Sequence, residues 1–359
     1  MTHSLDLSSQ ILAPGIVTEK QRNGAGVVYL SVFHPDVYDF LSTKKENADE
    51  KVRVKTLSLG LTIPDKYYEL LKTNEPMYLF SPYDVEKEYG TPFSYIDITA
   101  EYDNMVVNDK IAKYKTNARE LEQEISKLQQ ESGYPYIINI DTVNKENPIF
   151  GKVIMSNLCS EITQVQKPSI LNSDLSYAEV GSDISCNLAS TNILKMLESP
   201  NFEESVDSMV RALTTVSDFT NIEEVPTIKN GNEKYHSIGL GAMNLHSALA
   251  VNQIHYGSEE SIEFTDAYFR ALKFYALKAS NKLAIEKQEL FFEFEKSEYA
   301  DGSYIRRKYI DVEEFEFKSN KVKEIFKNVK IPLRKDWEEL NKSIMEYGLY
   351  NAYLLTIAP

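Results

Sequence analysis

Short β-branched and aromatic runs recur along this chain, and most are followed by a segment with helical spacing of apolar residues. That alternation constrains the fold more than any other feature. Val27–Phe33 (VVYLSVF) lies between Asn23-Gly24-Ala25-Gly26 and His34-Pro35 and reads as a buried strand. Asp36 to Leu41 follows with apolar residues at Val37, Phe40 and Leu41, which is helical spacing. Lys44 to Lys55 is charged and reads as a surface loop. Thr56–Ile63 (TLSLGLTI) is a second strand ended by Pro64, with a short helix over Lys66–Leu71. Tyr78–Phe80 opens a Ser-Pro loop. Thr116–Gln130 carries the clearest helical pattern, with Leu121, Ile125 and Leu128 on one face and Gly133 as its stop. Tyr136–Ile140 (YIINI) is a strand. Helices are expected at Phe202–Val216, Ala242–Gln253 and Ser261 to about Lys287. The stretch Phe291–Lys323 is aromatic and charged without a clean period, and no internal repeat is visible. Strands alternating with helices predict an α/β architecture with much parallel pairing. No Pro- or Gly-rich linker divides the chain, and residues 1 to about 18 read as a loose leader.

Composition narrows the function classes. The chain has 359 residues, 42% of them hydrophobic, enough for a sizeable core. It carries 39 Lys and Arg against 54 Asp and Glu, a net charge of −15. So acidic a balance argues against a nucleic-acid backbone or an anionic membrane as the main partner. No apolar run approaches the ~20 residues that span a bilayer, and Met1–Gln10 lacks the pattern of a signal peptide. Two cysteines are no disulfide scaffold, so a reduced cytoplasmic setting is expected.

Common motifs are absent: there is no GxxxxGK[ST], HExxH or CxxC. Ile238-Gly239-Leu240-Gly241-Ala242-Met243-Asn244 begins like a dinucleotide fingerprint, but Asn244 replaces its third glycine. A strand-to-helix turn that needs small residues for packing accounts for it better. The five histidines, His3, His34, His236, His246 and His255, form no metal-ligand spacing and read as surface or structural residues. No metal site is expected. Trp337 reads as packing, and most of the 23 tyrosines as core-edge residues.

Ser156-Asn157-Leu158-Cys159-Ser160-Glu161-Ile162 stands apart. It places a carboxamide, a thiol and a carboxylate at i, i+2 and i+4. On extended backbone Asn157, Cys159 and Glu161 would share one side, with Leu158, Ser160 and Ile162 on the other. A thiol beside a hydrogen-bonding amide and a proton acceptor suits radical, nucleophilic or redox work, and local chemistry leaves the three open. Cys186 lies in Asp183-Ile184-Ser185-Cys186-Asn187-Leu188, just before a helix-like run. The plain alternative for either cysteine is a small buried hydrophobe.

The string SNLCSEI resembles the catalytic-loop motif of the large (alpha) subunit of ribonucleotide reductase. QRNGAGVVYLSVFHPDVYDFL, KVRVKTLSLGLTIPDKYYEL, ESGYPYIINIDTVN, DISCNLASTNIL and SIGLGAMNLHSAL resemble further segments of that family, in its order. YLLTIAP resembles the start of its phosphate-binding segment. The match is nearest to the class Ib, manganese- or iron-dependent, aerobic bacterial and phage type. It covers about residue 20 to the C-terminus.

The resemblance implies a ten-stranded α/β barrel with a catalytic finger loop through its centre, surrounded by helices. It implies residues 19–359 as an incomplete catalytic barrel domain, with 1–18 unmatched. Reduction of ribonucleoside diphosphates by a thiyl-radical mechanism follows from it. Cys159 would be the thiyl radical that abstracts the ribose 3′ hydrogen, shielded by burial. Glu161 would be the base for the 3′-hydroxyl, and Asn157 would hold the ribose hydroxyls. Asn157, Leu158, Cys159, Ser160 and Glu161 would line the substrate pocket. Cys186 would be one of two redox cysteines that end as a disulfide. No cofactor would bind directly, because the dimetal centre and tyrosyl radical belong to a small (beta) subunit. A glutaredoxin- or thioredoxin-like dithiol protein would re-reduce the enzyme.

No residue matches the family's other redox cysteine, its effector-binding loops, its radical-relay tyrosine pair or its C-terminal cysteine tail. The chain therefore resembles a central piece of the subunit, from a gene interrupted by an intron, an intein or a split. An open barrel would expose strand edges, so complementary fragments of the large subunit are expected partners. A non-catalytic remnant and an interaction protein that pairs with a complete reductase are the competing readings.

Overall fold

The computed structural model describes residues 25–49, 51, 53–54, 56–184, 187–220 and 222–357. The chain divides into two compact units. One comprises residues 1–146 and 153–163, the other 147–152 and 164–359. The expected leader, residues 1–18, lies outside the described residues.

In the first unit, β1 (Gly26–Ser31) pairs in parallel with β2 (Leu57–Ile63). A separate antiparallel pair joins β3 (Pro76–Phe80) to β4 (Lys113–Asn117). The strand β5 (Tyr136–Asn139) completes the parallel sheet on the other side of β2, giving the order β1-β2-β5. The expected strands and their parallel pairing are therefore present, but β1 ends at Ser31, with Val32 and Phe33 in the turn that follows, and it is half-buried, not buried. Helix limits follow capping chemistry. Asn117 ends β4 and its side chain accepts from the Arg119 and Glu120 amides, so the helix spans Ala118–Ser132 and not Thr116–Gln130. Gly133, at φ 77°, closes it, and Leu121, Ile125 and Leu128 are buried as their spacing predicts. The supposed Ser-Pro loop is a helix start. Ser81 accepts from the Asp84 amide and Pro82 takes the first position of Pro82–Tyr89. Lys44 is no loop-surface residue either. It is buried, with its ammonium 4.7 Å from the Tyr134 ring centroid, and burial lowers its pKa. Val32, Phe33, Leu59, Leu61, Tyr67, Phe80 and Leu121 belong to one apolar core.

In the second unit, β6 (Ile170–Leu171) and β7 (Tyr177–Glu179) form a small antiparallel hairpin. A parallel pair joins β8 (Leu188–Asn192) to β9 (Gly239–Met243). Helices run over Phe202–Phe219, Leu245–Val251 and Glu259–Lys287. Ala242 and Met243, expected in a helix, belong to β9 because residues 188–192 offer them a ladder. The GxG segment is thus strand and turn. An added Cβ on Gly239 would meet Thr356 Cγ2 at 2.4 Å, and one on Gly241 would meet the Thr356 carbonyl at 2.5 Å. Those glycines admit the segment after Asn351, whose Tyr353 and Leu354 carbonyls accept from the Ile238 and Leu240 amides. Trp337 is fully buried and stacks on Tyr309 at 3.8 Å, which orders part of the aperiodic 291–323 stretch. His236 is buried, with Nδ1 3.3 Å from Asp218, while His246 and His255 are exposed.

Among the described residues the strands form separate two- and three-stranded sheets and no closed barrel. The α/β character holds. No helix of the described residues is long and apolar enough to cross a membrane.

Lys273 on the Glu259–Lys287 helix has an enclosed ammonium that donates to the Tyr299 hydroxyl at 3.4 Å. Burial pushes its pKa down to about 8. The unfolded value, ~10.4, is higher, so the unfolded chain holds the extra proton between them and stability rises with pH through that window. Lys273→Met is therefore expected to stabilise the fold by about 1–3 kcal/mol at pH 7, a gain that vanishes above pH ~10.5. Urea denaturation at pH 7 and pH 10.5 checks this.

Candidate active site

The Asn157–Glu161 segment sits in the first unit, and its support begins one helix earlier. The Asn144 carboxamide, on the Ile140–Glu146 helix, donates to the Val153 carbonyl and accepts from its amide, both at 2.9 Å. That pair fixes where the loop leaves the helix. Ser156 is buried, and its hydroxyl donates to the Ile162 carbonyl at 2.6 Å. The Asn157 carboxamide then ties the loop across itself. Its Oδ1 accepts from the Ile162 amide at 3.1 Å, and its Nδ2 donates to Glu161 Oε1 at 2.9 Å.

The backbone between these anchors is a turn and not an extended strand. The Ser160 amide donates to the Asn157 carbonyl at 3.2 Å, and Ser160 takes the left-handed conformation at φ 66°. The same-side placement expected from alternation is thus replaced by a closed loop. The loop still brings Asn157 and Glu161 into contact, now through a hydrogen bond, with Cys159 in the turn between them. Cys159 is exposed, so neither the shielding implied by the resemblance nor the reading as a small buried hydrophobe describes it. The physical reason is local: the polar groups of the turn point inward to their partners, and the thiol is left at the tip. Leu158 and Ser160 are half-buried, and Ile162 is buried.

Sequence reasoning missed two contributors. Tyr29, in the middle of β1, donates its hydroxyl to the Asn157 carbonyl at 3.0 Å and lies 2.8 Å from Ser160 Oγ. Burial raises the pKa of its phenol. Gly60 is its ladder partner on β2, and an added Cβ there would lie 2.2 Å from the Tyr29 ring. A glycine inside the otherwise apolar TLSLGLTI strand was the available signal, since it marks a close approach. Cys186 lies outside the described residues. Among the described residues no group of three or more His, Cys, Asp or Glu side chains could hold a metal ion.

The family model for the barrel domain of ribonucleotide reductase matches residues 14–359. The chain belongs to the ribonucleotide reductase barrel-domain family. Among its relatives is the ribonucleoside-diphosphate reductase subunit alpha of Mycoplasma pneumoniae, 51% identical over 344 residues, which are 94% of this chain and 47% of that protein. The Bacillus subtilis subunit alpha is 43% identical over 341 residues, 94% of this chain and 48% of the relative. A Chlamydia pneumoniae subunit alpha is 30% identical over 352 residues, 94% of this chain and 31% of that protein. The chain spans about half the length of the first two relatives. In this ribonucleotide reductase family member, the paired Asn157 and Glu161 and the exposed Cys159 are the chemically equipped groups of the loop.

Proposed function

We propose that this chain carries the substrate-reducing site of a ribonucleoside-diphosphate reductase and acts together with the other segments its longer relatives contain. The observation that carries the reading is the Asn157–Glu161 hydrogen bond closing a turn that leaves the Cys159 thiol exposed, in a member of this family. A ten-stranded barrel around this finger loop, built from residues 19–359, belongs to the same reading, as does a cytoplasmic setting.

Each residue then has a task. Asn157 binds the ribose hydroxyls, with Leu158 and Ser160 lining the pocket beside it. Cys159, as a thiyl radical, takes the 3′ hydrogen: an S–H bond forms and a C–H bond breaks. Glu161 accepts the 3′-hydroxyl proton. The 2′-hydroxyl leaves as water after protonation. Cys186 and a second cysteine from outside this chain supply two electrons and become a disulfide. Cys159 returns its hydrogen and is again a thiyl radical. A small subunit with a dimetal centre and tyrosyl radical generates that radical, and a glutaredoxin- or thioredoxin-like dithiol protein reduces the disulfide.

The test combines the chain with a relative's small subunit, the relative's remaining alpha segments, a dithiol and cytidine diphosphate. Deoxycytidine diphosphate formation that depends on the chain is expected, and its absence would favour a non-catalytic remnant. Cys186→Ser is expected to lower multiple turnover by at least about 100-fold while substrate binding, followed by equilibrium dialysis, is unchanged. Undiminished turnover would leave Cys186 a packing residue.

A further inference from the structure

Resting on that functional reading, we propose that Tyr29 is a positioning residue that clamps the Cys159 turn and sets where the thiol points. A phenol has one proton. Given to the Asn157 carbonyl at 3.0 Å, it leaves the Tyr29 oxygen as the acceptor for the Ser160 hydroxyl at 2.8 Å. One hydroxyl therefore holds both ends of the Asn157–Ser160 turn, and Cys159 lies between them.

The Ser160 backbone needs such a hold. Its φ of 66° lies in the left-handed region, which an L-residue enters only at an energetic cost. The Ser160–Tyr29 bond offsets that cost and keeps the turn in one state. Tyr29 can act this way because it is itself fixed. It belongs to β1, it pairs with Gly60 on β2, and its ring occupies the space a Gly60 side chain would fill. The clamp thus transmits the rigidity of a parallel sheet to a turn with no regular structure of its own.

Asn157 and Glu161 are joined without help from Tyr29, through Nδ2 and Oε1 at 2.9 Å. The Ile162 amide is likewise held by Asn157 Oδ1. Removing the phenol oxygen should therefore free the thiol and leave the substrate-binding pair in place. Hydrogen-atom transfer depends steeply on the distance between sulfur and the 3′ hydrogen. A displacement of about 1 Å can cost a factor of 100 in rate. The predicted signature is a loss in kcat with KM preserved.

The test uses the whole chain in two forms. In a Cys186→Ser background Cys159 is the one remaining thiol. There, Tyr29→Phe and Ser160→Ala are each expected to speed amide exchange at Ser160 by about 10-fold or more. Exchange at Ile162 and along β1 and β2 should stay unchanged. The rate of Cys159 alkylation by iodoacetamide should shift at least about threefold. With Cys186 present, in the reconstituted assay, Tyr29→Phe is expected to lower kcat about 10- to 100-fold with KM within about twofold. Unaltered Ser160 exchange and alkylation in both variants would overturn the clamp. So would faster exchange throughout β1 and β2, which would make Tyr29 a packing residue of the sheet. A wild-type chain that forms no deoxyribonucleotide would instead sink the functional reading, and exchange and alkylation would still decide the clamp.

Discussion

Cys159→Ser is expected to abolish deoxyribonucleotide formation, with a loss of more than about 1,000-fold, while substrate binding and stability stay within error. The substitution changes one atom at an exposed position. A thiol gives up its hydrogen atom to a radical far more readily than an alcohol does, so a serine cannot take the thiyl role. Surface substitutions of this size move stability by about 0.5 kcal/mol or less. The Asn157–Glu161 bond and the Ser160 turn do not use the cysteine side chain, so the binding pair should persist. The reconstituted assay, equilibrium dialysis with cytidine diphosphate and a thermal melt together check the prediction. Retained turnover would remove the radical assignment from Cys159, and lost substrate binding would point to a folding defect in the turn.

Gly60→Val should produce the largest stability effect, about 2–3 kcal/mol of destabilisation, together with release of the Cys159 turn. An added Cβ would lie 2.2 and 2.3 Å from two Tyr29 ring carbons, far inside contact distance. The ring is anchored at its hydroxyl, so it cannot swing aside while keeping the bonds to Asn157 and Ser160. Either the parallel β1–β2 ladder opens or the clamp breaks. Overpacking of a buried site typically costs about 1–3 kcal/mol, and the lost hydrogen bonds add to it. Urea denaturation of the variant measures the first effect, and Cys159 alkylation the second. A double-mutant cycle makes the cause explicit. In a Tyr29→Ala background the cost of Gly60→Val should fall to below about 1 kcal/mol. An undiminished cost there would show that Gly60 is required for something other than the tyrosine ring.

Much of the architecture was legible because it is written in local chemistry. VVYLSVF, TLSLGLTI and YIINI became β1, β2 and β5, since β-branched runs between turn residues leave a short strand as the stable choice, though only β2 is mostly buried. The Thr116–Gln130 pattern became the Ala118–Ser132 helix. It shifted by two residues because Asn117 is a better cap than Thr116 once residues 113–117 pair with β3. The Ser81-Pro82 step reads as a loop from sequence and is a helix start in the structure. The same two residues that end a strand also start a helix, and only the Ser81–Asp84 bond decides between them. Lys44 looked solvated because neighbouring charges dominate its sequence window, yet an aromatic ring 90 residues away covers it.

The candidate site divides along the same line. Its cast of residues, Asn157, Cys159 and Glu161, was visible in seven letters, because amide, thiol and carboxylate at close spacing are chemically conspicuous. Their arrangement was not visible. Period-two alternation predicts an extended segment, and the chain instead makes a left-handed turn at Ser160 that a tyrosine 131 residues earlier helps to hold. By itself, the sequence determined where an amide, a thiol and a carboxylate stand close together, the alternation of strands and helices, and the net acidic charge. Only the tertiary structure decided that the thiol is exposed, that Asn157 is bonded to Glu161, and that Tyr29 and Gly60 belong to the site. The physical reason is that propensity and periodicity act over a few residues. A hydrogen bond across the loop, or a ring seated against a glycine in the next strand, exists only once distant segments have packed.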